Sequence, residues 1–369
     1  MKLTCNREGL SSAFQVASGV VPQRSPRPIL RSVKLEIDGP NSGTLLATDL
    51  ELGIRYSISG IEADSTGQLL LPVGEAMAII REMNDPTLSL RVAEGGVILE
   101  GSSSRFELST EDPLQFPDVP SMGDEPAHKI KAGVLVNMIR RTAFACASEN
   151  SRYALHSVLV EFEESRMKFV ATDSKRLALM PGPIEIAGEV PEGTWLLPPK
   201  VLQLLTRVLQ DPEEEVQIVL HENDALFKTG KVTIYTRLVE GRFPRYQDVF
   251  PSEVKYRVPL PVGQFHAVVR QSRILTNDES RGVDLRFADG EVRLQSRAAQ
   301  LGQSEVKMPI GYTGDPVDVT YDPHLLIDAL KVLDPEEEVV LELPDSKRAS
   351  VFRTRDDYAY VVAPLMRDR

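Results

Sequence analysis

Residues 195–216 read WLLPPKVLQLLTRVLQDPEEEV, and residues 319–339 read VTYDPHLLIDALKVLDPEEEV. Each runs from a short apolar strand through a proline into an amphipathic helix, and then stops at Asp-Pro. The proline ring blocks continuation of the helix. The shared acidic hexapeptide (211–216 and 334–339) has two readings. It is either a carboxylate cluster for a divalent metal or for acid–base chemistry, or a turn that recurs because the domain around it recurs. The flanks favour the second. A third copy, QLLLPVGEAMAIIREMNDPTLSL at 68–90, keeps the strand, the proline, the helix and Asp-Pro without the glutamates. Asp85, Asp211 and Asp334 are spaced by 126 and 123 residues, which is a domain length and too long for a solenoid repeat.

Other landmarks keep the same step. LLATDLELGI (45–54) matches KFVATDSKRLAL (168–179), with Thr48 and Thr172 separated by 124 residues. LQFPDVP (114–120) matches GRFPRYQDVFP (241–251), with Phe116 and Phe243 separated by 127. Each unit opens on a helix, at 7–18, 131–144 and 262–273, and carries a second at 75–83, 200–210 and 324–333. Alternating β-branched stretches such as VILEGSSSRFELST and VTIYTRLV read as antiparallel strands between them. The class is α+β: three tandem repeats of two helices packed on antiparallel sheets. The polar stretches SMGDEPAH and FPSEVKY divide the chain into domains expected at 1–124, 125–252 and 253–369.

A length of 369 residues agrees with several cores. No stretch has the apolar length of a signal peptide or a membrane span. Two cysteines, Cys5 and Cys146, suit neither a disulfide framework nor a zinc site and point to a reducing cytoplasm. The net charge of −12 speaks against a phosphate partner until its distribution is considered. The six helix windows hold ten basic residues and four acidic ones, so the rest of the chain carries −18. In 200–210 the stripe Val201, Leu204, Leu205, Val208 leaves Lys200, Gln203 and Arg207 outside. In 262–273 Phe265, Val268 and Val269 face inward and leave His266, Arg270 and Arg273 opposite. In 131–144 Leu135, Met138, Ile139 and Thr142 face inward, with Asn137, Arg140 and Arg141 outside. For one helix a solvated face is the simpler reading. Three acid-free outer faces in an acidic chain suggest helices presented to phosphates.

Catalytic signatures are missing. There is no phosphate-binding glycine loop and no Gly-x-Ser-x-Gly elbow, and the five histidines lack ligand spacing. Asp173 and Lys175 in VATDSKRL invite an acid–base reading. The counterpart LATDLEL keeps Thr-Asp without the lysine, so the shared dipeptide is read as a strand-end turn.

The triplicated unit, together with VATDSKRLAL, GRFPRYQDVFP, LSTEDPLQFPDVP and the C-terminal YAYVVAPLMR, resembles the bacterial DNA polymerase III β subunits, the sliding clamps, over essentially the whole chain. That resemblance implies a head-to-tail homodimeric ring of DNA-clamp domains around duplex DNA. It implies a cytoplasmic, nucleoid-associated processivity factor with no catalytic activity, metal or cofactor. The implied partners are DNA polymerase III α, clamp-loader subunits, and other polymerases and repair proteins that dock short hydrophobic peptides. Matching positions place the peptide pocket at Arg152, Leu155, Thr172, Lys175, Arg176, Leu177, Pro244, Val249, Val361, Val362, Pro364 and Leu365. DNA contacts fall on Arg24, Arg152, Tyr153 and Lys200, to which the helix faces add Arg140, Arg141 and Arg207. The dimer seam falls on Arg105, Phe106 and Leu108 against Ile274 and Leu275. The chain departs from the family at Gly74, where a basic residue is usual, and at Asp248 and Ala363 near the pocket. A further departure is RAAQLGQSEVK (297–307), where glutamates are expected beside the second seam face. Two other readings compete: a metal-dependent nucleic-acid-processing enzyme using the carboxylate-rich turns, and a β-rich scaffold without a DNA role.

Overall fold

The computed structural model describes residues 1–148, 154–277, 280–299 and 301–366. Among these residues the six expected helices form, each within two residues of its expected start. They are α1 (Arg7–Ala17), α2 (Val73–Glu82), α3 (Ala132–Thr142), α4 (Pro199–Val208), α5 (Val262–Ser272) and α6 (Pro323–Leu330). Asn6 caps α1 by accepting from the Gly9 amide at 3.0 Å, and Asp322 caps α6 by accepting from His324. Proline opens α4 and α6 in the first turn, where its missing N–H costs nothing. In α4 the stripe Val201, Leu204, Leu205 is buried, as is Leu202.

The chain forms two compact units. The first comprises Met1–Val136, Ile184–Val190 and Lys200–Val239, and the second Asn137–Pro183, Pro191–Pro199 and Glu240–Arg369. The first unit contains a five-stranded sheet that starts at Ile61–Ala63 and ends at the edge strand Arg105–Ser109. Its second sheet has eight strands and crosses from one repeat to the next. Leu52–Ile58 pairs antiparallel with Val232–Arg237, with Ile54 opposite Ile234. The second unit repeats the device: Arg176–Pro183 pairs antiparallel with Ala359–Val362 inside an eight-stranded sheet, with Leu177 opposite Val361. Its other sheet has four strands and ends at the edge strand Gly302–Pro309.

The repeated motifs are turns. Thr48 Oγ1 donates to Leu52 O at 2.9 Å, and Thr172 Oγ1 donates to Arg176 O at 2.6 Å. In both, the aspartate accepts backbone amides of the following residues, and the next residue takes a positive φ (Leu50 at 82°, Ser174 at 73°). Asp173 is thus spent on geometry, and the Asp173–Lys175 acid–base idea has no support. The opening hexapeptides behave alike: Asp211 accepts from Glu213 N and Asp334 from Glu336 N, both at 2.9 Å. The next strands begin at Glu215 and Glu338. Among the described residues no three His, Cys, Asp or Glu side chains gather as a metal site. Also among them, no helix is long and apolar enough to cross a membrane.

Candidate functional site

In the second unit, the joined hairpin Arg166–Pro183 and strand Ala359–Val362 present a groove of about 340 Å³. Leu155, Leu177, Pro244, Val249 and Val361 supply its apolar lining, with Thr172, Lys175 and Arg176 at its edge. Seven of the eleven described pocket positions read from the sequence therefore converge directly, and Arg176 makes an eighth in another role. The Arg176 Nε donates to Asp173 at 3.0 Å, one terminal nitrogen to Asp328 at 2.8 Å, and the other to Phe144 O at 3.0 Å. Its guanidinium also lies 5.3 Å from the Phe144 ring centre. Burial would lower its pKa, but the hydrogen bond to Asp328 and neighbouring anions outweigh that and raise it. Arg176 ties the elements beside the groove together, and its charge is already answered. Lys175 is the exposed cation at this rim, with Arg245 as a second one not foreseen.

Three expected residues lie elsewhere. Val362 is fully buried, because successive side chains of a strand point to opposite faces and Val361 takes the groove side. Pro364 and Leu365 leave the groove as the Leu365 amide donates to Thr320 O at 2.8 Å, turning the chain aside. Ser174, Tyr246, Ala349 and Ala363 complete the lining. Tyr246 is oriented by donating its hydroxyl to Glu161 at 2.7 Å, and burial followed by that carboxylate pushes its pKa up. Ala349 enters from a loop without a counterpart among the repeated motifs, so no pattern announced it. Arg152 and Tyr153 lie outside the described residues.

The basic positions divide. Arg24, Arg140 and Arg207 are exposed. Lys200 is half-exposed and ion-paired to Asp49, with Val20 O at 3.5 Å. Arg141 corrects the helix-face reading: its side chain is 7 % exposed, donates to Asp356 at 2.5 Å, approaches Glu337 at 3.8 Å and lies over the Tyr358 ring. One step around the helix from Arg140, it points inward, and its charge is consumed by structure. The seam positions are surface residues, not core. Phe106 is 38 % exposed and Ile274 72 %, while Arg105 is exposed and Leu108 and Leu275 are half-buried.

These features define a three-repeat clamp fold with exposed basic helix positions, an apolar groove and edge strands at Arg105–Ser109 and Gly302–Pro309. Family models for the DNA polymerase III beta subunit match residues 1–120 (N-terminal domain), 129–245 (central domain) and 247–366 (C-terminal domain). The beta sliding clamp of Pseudomonas putida is 31% identical, covering 99% of this chain and all of that protein. That of Pseudomonas aeruginosa is 30% identical over 99% of this chain and all of its own. The crystal structure of the P. aeruginosa subunit superposes with a TM-score of 0.93 at 29% identity, covering both chains completely. A structure of that protein bound to griselimycin gives 0.92, also at 29% identity and complete coverage of both chains. The chain belongs to the DNA polymerase III beta subunit family, the bacterial sliding clamps. Its function is that of a non-catalytic processivity factor for DNA polymerase III, and the metal-dependent enzyme reading drops away.

Proposed function

We propose that two copies close head to tail around duplex DNA and tether their partners through the groove lined by Leu155, Leu177, Pro244, Val249 and Val361. The observation that carries the ring is the pattern of sheet edges. Leu52–Ile58 is joined to Val232–Arg237 of the next repeat, and Arg176–Pro183 to Ala359–Val362 of the one after. Arg105–Ser109 and Gly302–Pro309 hold the corresponding places in the first and third repeats and end their sheets unpaired. An edge strand is a template for another chain, and a heterologous contact that closes makes a ring. Phe106 and Leu108 on one edge, and Ile274 and Leu275 beside the other, supply the apolar contact. The repeat boundaries that accompany this reading are 1–124, 125–252 and 253–369.

DNA contact is sequence-independent and rests on Arg24, Arg140, Arg207 and, after exchange of its Asp49 partner for phosphate, Lys200. Arg152 and Tyr153 keep the roles implied by resemblance. The groove takes an extended peptide whose energy is concentrated in a few apolar anchors, with Lys175 and Arg245 meeting carboxylates at its rim. DNA polymerase III α, clamp-loader subunits, other polymerases and repair proteins are the expected donors of such peptides. The work is done in the cytoplasm, at the nucleoid.

Retention on nicked circular DNA, with loss on linearisation, tests the ring; equal retention on both forms rejects it. Val249, 44 % exposed at the groove, tests the tether. Val249→Asp should weaken binding of a polymerase-derived peptide about tenfold or more while retention on circles persists. Unchanged peptide affinity would displace the groove assignment.

A further inference from the structure

Both joints inside the chain bring the end of a repeat's first helix to the second helix of the next repeat. After α1, Gly19 lies against α4: a Cβ there would meet Leu204 at 3.3 Å and Arg207 at 3.5 Å. After α3, the Phe144 carbonyl accepts from Arg176, which also holds Asp328 of α6. The third such pair is α5 and α2.

The repeat assigns what would meet there. Phe265, Val268, Val269 and Ser272 of α5 are buried with the spacing of Leu10, Ala13, Phe14 and Ala17 in α1. That register places Ile274 where Gly19 stands. Ala78 and Leu204 each precede the aspartate of their Asp-Pro turn by seven residues, so Ala78 stands where Leu204 does. Ile274 of one copy therefore seats on Ala78 of the other. The neighbours of Leu204 on its helix face are Val201 and Val208, and their counterparts around Ala78 are Glu75 and Glu82. These sit on one side of α2 by their i, i+3, i+7 spacing. All three residues are exposed; among the described residues Glu75 makes no ion pair, and Glu82 has the exposed Arg81 beside it at 3.5 Å. On the other side, Ile274 lies in a cleft with Arg270, Arg273, Arg281 and His324. Arg270 and Arg273 are exposed and unpaired among the described residues.

We infer that the ring seam is locked by an ion-pair layer on its helix side, with Arg270 and Arg273 of one copy against Glu75 and Glu82 of the second. This rests on the head-to-tail dimer proposed above. Charge complementarity selects a second copy of this chain as the occupant. The helices here add ionic contact where the stretch 297–307 lacks the glutamates expected beside the second seam face.

Opposite-charge exchange tests it by sedimentation velocity at low salt. Arg270→Glu with Arg273→Glu puts like charges on both seams of the homodimer, and so does Glu75→Arg with Glu82→Arg. Each variant should keep its circular dichroism spectrum and dissociate about tenfold more readily or worse. Mixed together, the two should form a one-to-one heterodimer with near wild-type affinity, because both of its seams are again complementary. Wild-type dissociation should also rise with sodium chloride. Homodimers of wild-type affinity would overturn the ion-pair layer, and so would a mixture no tighter than its components. Ile274→Asp separates the two claims. If it gives monomers while the charge variants stay dimeric, only this inference fails; a monomeric wild type would remove the dimer itself.

Discussion

The strands Ala359–Val362 and Arg105–Ser109 close their repeats in the same way, and their surroundings differ completely. All four residues of the first are buried between Arg176–Pro183 and Ser350–Arg353. Tyr360 there packs near Phe144 and Phe352 and donates its hydroxyl to Leu325 O at 2.8 Å. In the second, Arg105, Phe106, Glu107 and Ser109 are exposed, and among the described residues only Gly96–Glu100 lies alongside. The difference lies in the neighbour and not in the strand. A strand with an apolar side and no second partner carries unspent hydrogen bonds and unspent hydrophobic area, and a second copy of the chain can use both.

The largest effects should come from truncating equivalent aromatics. Tyr360→Ala should cost about 3–5 kcal/mol in denaturant unfolding, since it opens a cavity and strands the Leu325 carbonyl. Phe106→Ala should remain folded and sediment as monomer. Equal losses of fold at the two sites would end the comparison.

Adjacent arginines offer a second contrast. Arg141→Ala should destabilise by roughly 2 kcal/mol, less than breaking a fully buried pair costs, because Asp356 and Glu337 remain half-exposed. Arg140→Ala should stay within about 0.5 kcal/mol of wild type in stability and weaken salt-dependent loading on DNA. A stable Arg141→Ala protein with impaired loading would return Arg141 to the DNA face.

Acid should act more gently, through Asp328. Burial raises its carboxyl pKa, but Lys331 and Arg176 outweigh that and hold it below the usual range. A depressed folded value contributes stability that is present above the unfolded pKa of about 3.9. That contribution is lost as pH falls through the folded value. Asp328→Asn should therefore flatten the acid limb of the stability curve, and an unchanged limb would deny the linkage.

The smallest effect expected is on thiol chemistry. Burial pushes Cys5 and Cys146 up to about 12, so neither should react measurably with iodoacetamide at pH 8 in the folded protein. Rapid labelling of Cys146 would show that the region beside the groove opens.

Much of this was legible in one sequence, because repetition supplies its own control. LATDLEL without a lysine favoured a turn over a catalytic reading of VATDSKRL, and the hydrogen bonds of Thr48 and Thr172 give the physical cause. The third Asp-Pro, lacking glutamates, separated a turn from a carboxylate site. Helix stripes found Val201, Leu204 and Leu205, because burial follows the 3.6-residue period. Those periods resolve a face and not a neighbour. They could not tell Arg140 from Arg141, since only Asp356, Glu337 and Tyr358, more than 190 positions away, make the difference.

The sequence by itself determined the repeats, their six helices and the turns, which follow from local spacing and motif order, and its resemblance to the family implied most of the groove's apolar residues. Tertiary structure alone decided the rest. It sent Val361 to the groove and Val362 to the core through the pleat, and turned Leu365 away through a bond to Thr320. It also consumed the charge of Arg176 between Asp173 and Asp328. A side chain's role is set by what stands across from it, and in a fold built by pairing strands from successive repeats that neighbour can lie far away in sequence, as Asp328 does from Arg176.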